Sequence, residues 1–111
     1  MTITSITLYE VPEGNADDFV HSLRENIQLM RLQPGMINGH IYHVESKNSY
    51  FKFVNVTHWE SEAAMDAALA KLEDTLEDCD IDREEEWREL GVHITPVVCS
   101  TEMAYEGKKA A

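Results

Sequence analysis

Apolar and polar positions between Tyr50 and Ser61 read as a strand that runs directly into a helix start. Strand side chains alternate between faces, so Phe51, Phe53, Asn55, Thr57 and Trp59 share one side, and Tyr50, Lys52, Val54, Val56 and His58 the other. The first side is aromatic with one amide in its middle. An amide on an apolar face needs a hydrogen-bond partner, which makes Asn55 either a structural tie or the polar group of a ligand pocket.

The same reading orders the rest of the chain. Residues 3 to 11 have the β-branched and aromatic content of a strand, ended by Pro12 and Gly14. Phe19, Val20, Leu23, Ile27 and Met30 then recur at helical spacing, predicting a helix capped by Asn15 and running to about Gln33, where Pro34-Gly35 stops it. Residues 36 to 45 form a second strand, apolar on both faces, and the polar Ser46 to Ser49 joins it to the opening stretch as a β-hairpin. An even loop sets Tyr42 opposite Phe53, His40 opposite Asn55 and Met36 opposite Trp59, whereas an odd loop exchanges the faces. Ser61 caps a second helix to about 78 with Ala64, Met65, Ala68, Leu69, Leu72 and Leu76 as its stripe. Asp82-Arg83-Glu84-Glu85 opens a short third helix to Leu90, stopped by Gly91. A last strand runs from Val92 to Tyr105, interrupted at Pro96, and residues 107 to 111 read as a flexible tail.

This order, β-α-β-β-α-(α)-β, predicts a single α+β domain over residues 1–106: a ferredoxin-like antiparallel sheet with its helices on one face. The hairpin is apolar on both sides, with Ile37, Ile41, Val54 and Val56 on one and Met36, Tyr42, Phe51, Phe53 and Trp59 on the other. Helices cover one side. Too little chain remains for a second layer, so a second copy of the protein is expected on the other side.

Charge narrows the partners. Of the 21 acidic residues, 13 fall between residues 60 and 89 against three basic ones, and the net charge is -12. Such a surface repels nucleic acid and anionic membranes and favours solubility. Cys79 and Cys99 show no CxxC spacing, and no secretion signal opens the chain, so reduced thiols in the cytoplasm are expected. The histidines show no recognised metal-binding spacing, and no nucleotide or phosphate fingerprint occurs.

At Pro34-Gly35-Met36 to Val44, and at Asn55-Val56-Thr57-His58-Trp59-Glu60-Ser61 with the Ala-rich helix behind it, the sequence resembles the antibiotic biosynthesis monooxygenase family. The resemblance implies a dimeric α/β barrel in which two sheets pack face to face. It also implies a small aromatic, quinol-like or polyketide-like substrate held between sheet and helices and oxidised by molecular oxygen without metal, flavin or other cofactor. Asn55 and Trp59 carry over as residues of that cavity. Asn55 would donate to the developing oxyanion and Trp59 would stack on the substrate, with His40 as candidate base and Tyr42, Phe51, Phe53 and Met65 as pocket lining. The family's oxygenases carry a tyrosine on the helix after the tryptophan and an arginine further along, and its haem-degrading branch carries a histidine ligand on that helix. Residues 61 to 79 here hold no Tyr, Arg or His. The alternative is therefore a dimeric small-ligand-binding module without catalysis.

Overall fold

A computed structural model describes residues 1–108; residues 109–111, the end of the expected tail, lie outside the described residues. In chain order the elements are β1 (Ile3–Glu10), α1 (Ala16–Met30), β2 (Met36–His43), β3 (Phe53–Trp59), α2 (Glu62–Asp78), α3 (Arg83–Glu89) and β4 (His93–Cys99). The four strands pair antiparallel in the order β2-β3-β1-β4. The ferredoxin-like α+β fold expected from the pattern is the fold observed. No helix among the described residues is long and apolar enough to cross a membrane.

Local chemistry explains most of the boundaries. The Ser61 hydroxyl accepts from the Ala64 amide at 3.1 Å, and an Asp82 carboxylate oxygen accepts from the Glu85 amide at 3.0 Å, so α2 and α3 begin at side-chain caps. Asn15 departs from the expected cap. A 3-10 turn at Glu13–Asn15 precedes α1, and the Asn15 amide donates instead to the Leu90 carbonyl at 2.8 Å, closing the far end of α3. The first helix ends at Met30, short of Gln33, where a turn from the Gln33 amide to the Met30 carbonyl (3.1 Å) takes over. Strand β4 passes through Pro96 without a break, because an edge strand tolerates a residue lacking its N–H, and it stops at Cys99 instead of Tyr105.

The hairpin register differs from the even-loop pairing. Lys52 donates its amide to the Tyr9 carbonyl at 2.8 Å, so Tyr50 and Phe51 stay outside β3 and the connection from Val44 to Lys52 has an odd length. His43 therefore faces Phe53, Ile41 faces Asn55, His40 faces Val56 and Tyr42 faces Val54. A bulge between Met36 and Asn38 absorbs Ile37 and restores the expected Met36–Trp59 pair. Ile41 thus moves to the helix side and Tyr42 to the open side.

Helix-side packing falls into two clusters. One gathers Tyr9, Val11, Phe19, Leu23, Phe53, Trp87 and Val92, with the Phe19 ring 4.9 Å from Tyr9 and 5.1 Å from Trp87. The other gathers Trp59, Met65 and Ala68, with Ile3, Met30 and Met36 against it. Both lie between sheet and helices. The opposite face of the sheet, which carries Tyr42, Val54, Val56 and Val97, is bare, with Tyr42 52% and Val97 43% exposed.

Candidate functional site

Between the two clusters, the helix-side positions of β1 and β3 hold small polar side chains: Thr7 opposite Asn55, and Ser5 opposite Thr57. Large apolar groups at these positions would extend the core across the sheet. The small ones leave a cavity of about 650 Å³, within the ordinary size range of small-molecule sites. Helix α1 roofs it with Leu23, Asn26, Ile27 and Met30, and α2 with Met65, Leu69 and Leu72; Tyr9 and Trp87 stand at one end, and Trp59 with Met36 at the other.

Asn55 is half-buried in the middle of this floor. With Thr7 it stands near the Tyr9 hydroxyl. Burial raises the Tyr9 phenol above its ordinary 10.0, and the neighbouring Asn55 and Thr7 side chains act the other way without cancelling the rise. Tyr9 is thus a neutral hydrogen-bonding group at physiological pH. Because the fold favours the protonated phenol, this stabilisation is complete below pH 10 and is lost as pH climbs through the raised value. Replacing Tyr9 with Phe is expected to flatten the decline of the urea midpoint above pH 10. An unchanged alkaline decline would remove Tyr9 as its source.

The remaining sequence-derived residues divide by face. Trp59 lines the cavity, but it is 1% exposed and its indole N–H donates to the Thr57 hydroxyl at 3.0 Å. It presents a ring edge or face to a ligand, with the N–H already engaged. Met65 lines the cavity as expected. Phe53 is buried in the Tyr9–Phe19 cluster and Phe51 lies in the loop, so neither belongs to the lining. Tyr42 faces the open side of the sheet. His40 contributes to the rim of the cavity along edge strand β2, while its ring stacks on Tyr42 at 5.7 Å and 14° on the opposite face. The odd register is the reason: it sets His40 beside Val56, away from Asn55.

Two polar residues escaped the sequence reading. Asn26 sits one step off the apolar stripe of α1, next to Ile27, and lines the cavity. Arg83, inside the capping sequence of α3, is 8% exposed. Its Nε donates to Asn26 Oδ1 at 3.0 Å and its Nη1 to Glu86 Oε2 at 3.1 Å, while its buried Nη2 has no partner among the described residues. The only signal in the sequence was an arginine three positions from a glutamate on a short helix. Nothing there announced its burial.

The sequence of residues 2–73 matches the family model described as antibiotic biosynthesis monooxygenase. The chain belongs to this family. No protein of curated function matches it. Among solved structures of similar fold is SnoaB, a cofactor-independent oxygenase from Streptomyces nogalater, at 15% identity and TM-score 0.69 over 93% of this chain and 95% of that one. A dimeric ferredoxin-like protein from an uncultured marine organism is similar at 18% identity and TM-score 0.71, covering 94% of this chain and 98% of its own. A heme-degrading protein from Mycobacterium tuberculosis shares 25% identity over 62% of this chain and 78% of its own, with TM-score 0.55.

A cofactor-independent oxygenase and a haem-degrading protein thus share the fold, and the lining of the cavity bears on which chemistry fits. Its α2 wall presents Met65, Leu69 and Leu72, and α2 contains no histidine, so that wall offers haem iron no imidazole ligand. Among the described residues, no group of three or more His, Cys, Asp or Glu is placed to hold a metal ion.

Proposed function

We propose that this family member is a cofactor-independent monooxygenase acting on a small ionisable aromatic, such as a quinol or a polyketide-like phenol, bound in the cavity over Asn55. The observation that carries the reading is the position of Asn55: one amide, half-buried, between two apolar clusters and beside a neutral Tyr9. A phenolate placed there would keep its charge on oxygen next to the amide donor and its electron-rich ring against apolar walls. Such an anion reduces oxygen itself; a naphthol and one dioxygen become a naphthoquinone and one water, with one oxygen atom in each product. Asn55 serves the step by stabilising the oxyanion.

Among the described residues that line the cavity, the Tyr9 phenol is raised and the His40 ring stacks on Tyr42 on the other face, so neither is assigned as a base at neutral pH. The substrate's own acidity then sets the pH dependence. Mixing purified protein anaerobically with candidate quinols and naphthols, then admitting oxygen, tests this. Turnover is expected to rise with pH toward the pKa of each substrate. Asn55→Ala should lower it by about 10²–10³-fold, as expected when an oxyanion donor is lost, whereas His40→Ala should leave the profile in place. Oxidation no faster than in buffer, across the panel, would leave the second reading, a binding module without turnover, which the wholly apolar α2 wall favours.

The bare face of the sheet supports a homodimer in which two such faces meet, and the similarity to a dimeric protein of this fold agrees with it. Free Cys79 and Cys99 are in keeping with a reducing cytoplasm.

A further inference from the structure

Arg83 fixes which end of the Asn26 amide faces the cavity. A guanidinium has donors and no acceptor, so the Asn26 atom that meets Arg83 Nε at 3.0 Å is the oxygen, and the NH₂ group is turned away from Arg83. Arg83 is in turn held by Glu86 on its own helix. No acceptor among the described residues takes the Asn26 NH₂. Asn26 also stands where two spaces meet: with Leu69, Leu72 and Trp87 it lines both the cavity and a more open groove of about 770 Å³ beside α2 and α3. An amide donor not taken by Arg83 is therefore available on the helix layer of the cavity, whose sheet side carries Asn55.

We propose that Asn26 is a second ligand-anchoring and specificity-determining group, with Arg83 as its positioning residue. The ligand is an aromatic that carries a neutral carbonyl oxygen on the side away from its ionising hydroxyl. The inference rests on the cavity reading above and narrows its substrate class from phenols to hydroxyaryl ketones. A carbonyl suits the site better than a carboxylate, because Asn26 is neutral and the adjoining groove sets Glu73, Glu77, Asp80, Asp82 and Glu84 against one cation, Arg83, whose charge Glu86 already meets.

Two probes separate the donors: a hydroxytetralone, with its phenol and ketone on opposite rings, and the tetrahydronaphthol of the same skeleton, which lacks the ketone. Anaerobic titration of the full chain, read by calorimetry, should give about tenfold tighter binding of the ketone, the usual effect of one hydrogen bond made or left unmade in a buried site. Asn26→Asp keeps an acceptor for Arg83 but removes the donor, so it should abolish the ketone preference, read as the ratio of the two affinities. Arg83→Leu should shrink the preference, and Arg83→Lys, which restores a donor to Asn26, should recover part of it. A merely structural role would change both affinities together and leave their ratio fixed. Equal affinities in the wild type, with Asn55→Ala weakening both, would overturn this inference and leave the proposed function standing. Retention of the preference in Asn26→Asp would overturn it equally, and failure of both probes to bind would overturn both readings.

Discussion

Replacing Val56 with Asp is expected to turn the proposed dimer into monomers near 12.7 kDa by sedimentation or light scattering at micromolar concentration. Val56 lies on the bare face between Ile6 of β1 and His40 of β2, with Val54 and Val97 on the same face. In an isolated chain this side chain is only half-buried, so a carboxylate there reaches water and the fold survives. Between two sheets it would be enclosed without a partner. Leaving one charge buried and unpaired costs roughly 3–5 kcal/mol, and two-fold symmetry places one such charge on each chain. Val54→Asp should act the same way. A variant that stays fully dimeric would show that the partner sits elsewhere.

Gly35→Ala is the substitution expected to damage the fold itself most. Gly35 has φ 87°, and a Cβ built on it would stand 2.5 Å from the Ala64 Cβ of α2. A left-handed conformation costs an L-residue about 1–2 kcal/mol, and forcing an extra carbon into a packed contact costs typically about 1–3 kcal/mol more. The Gly35 carbonyl also accepts from the Glu60 amide at 2.8 Å, so the turn cannot shift freely to relieve the clash. Urea unfolding should report a loss of about 2–5 kcal/mol, taking the two costs together. Adding Ala64→Gly should recover the steric part and leave the conformational part. Full recovery, or no loss at first, would contradict this account. Because Met65 follows Ala64 and lines the cavity, the single variant should also weaken ligand binding.

What could be read from the sequence was whatever depends on neighbours along the chain. Ser61 and Asp82 announce their helices because a cap acts within three residues, and Pro34-Gly35 announces a stop for the same reason. Two apolar strand faces announce two covers. The pairing of β2 with β3 was beyond reach, because it depends on where the loop leaves the strand. That point is set by the Lys52 amide bonding to Tyr9, some forty positions earlier in the chain, and by a bulge at Ile37 that no local pattern marks. This is why the strand pattern alone gives the face of Asn55, while the faces of His40 and Tyr42 depend on the loop parity that the sequence leaves open. Arg83 and Asn26 escape notice for a related reason: both are ordinary helix-surface types, and only tertiary packing buries Arg83 and half-buries Asn26. Family membership and the apolar stripe of α2 follow from the sequence alone, whereas the Asn26–Arg83 pair emerges only once the helices are packed.

The bulge at Ile37 bears on how the outer strand can vary in length. On one side of it Met36 keeps company with Trp59; beyond it, residues through His43 alternate between the helix side and the bare side of the sheet. Loss of that single residue would leave Met36 opposite Trp59 and Asn38 opposite His58 and only straighten the strand. A one-step slip of the pairing itself, set at the connection between Val44 and Lys52, would instead send Tyr42 inward and Ile41 outward. The same change in length is thus silent at the bulge, whereas at the hairpin connection it exchanges the two faces of the outer strand.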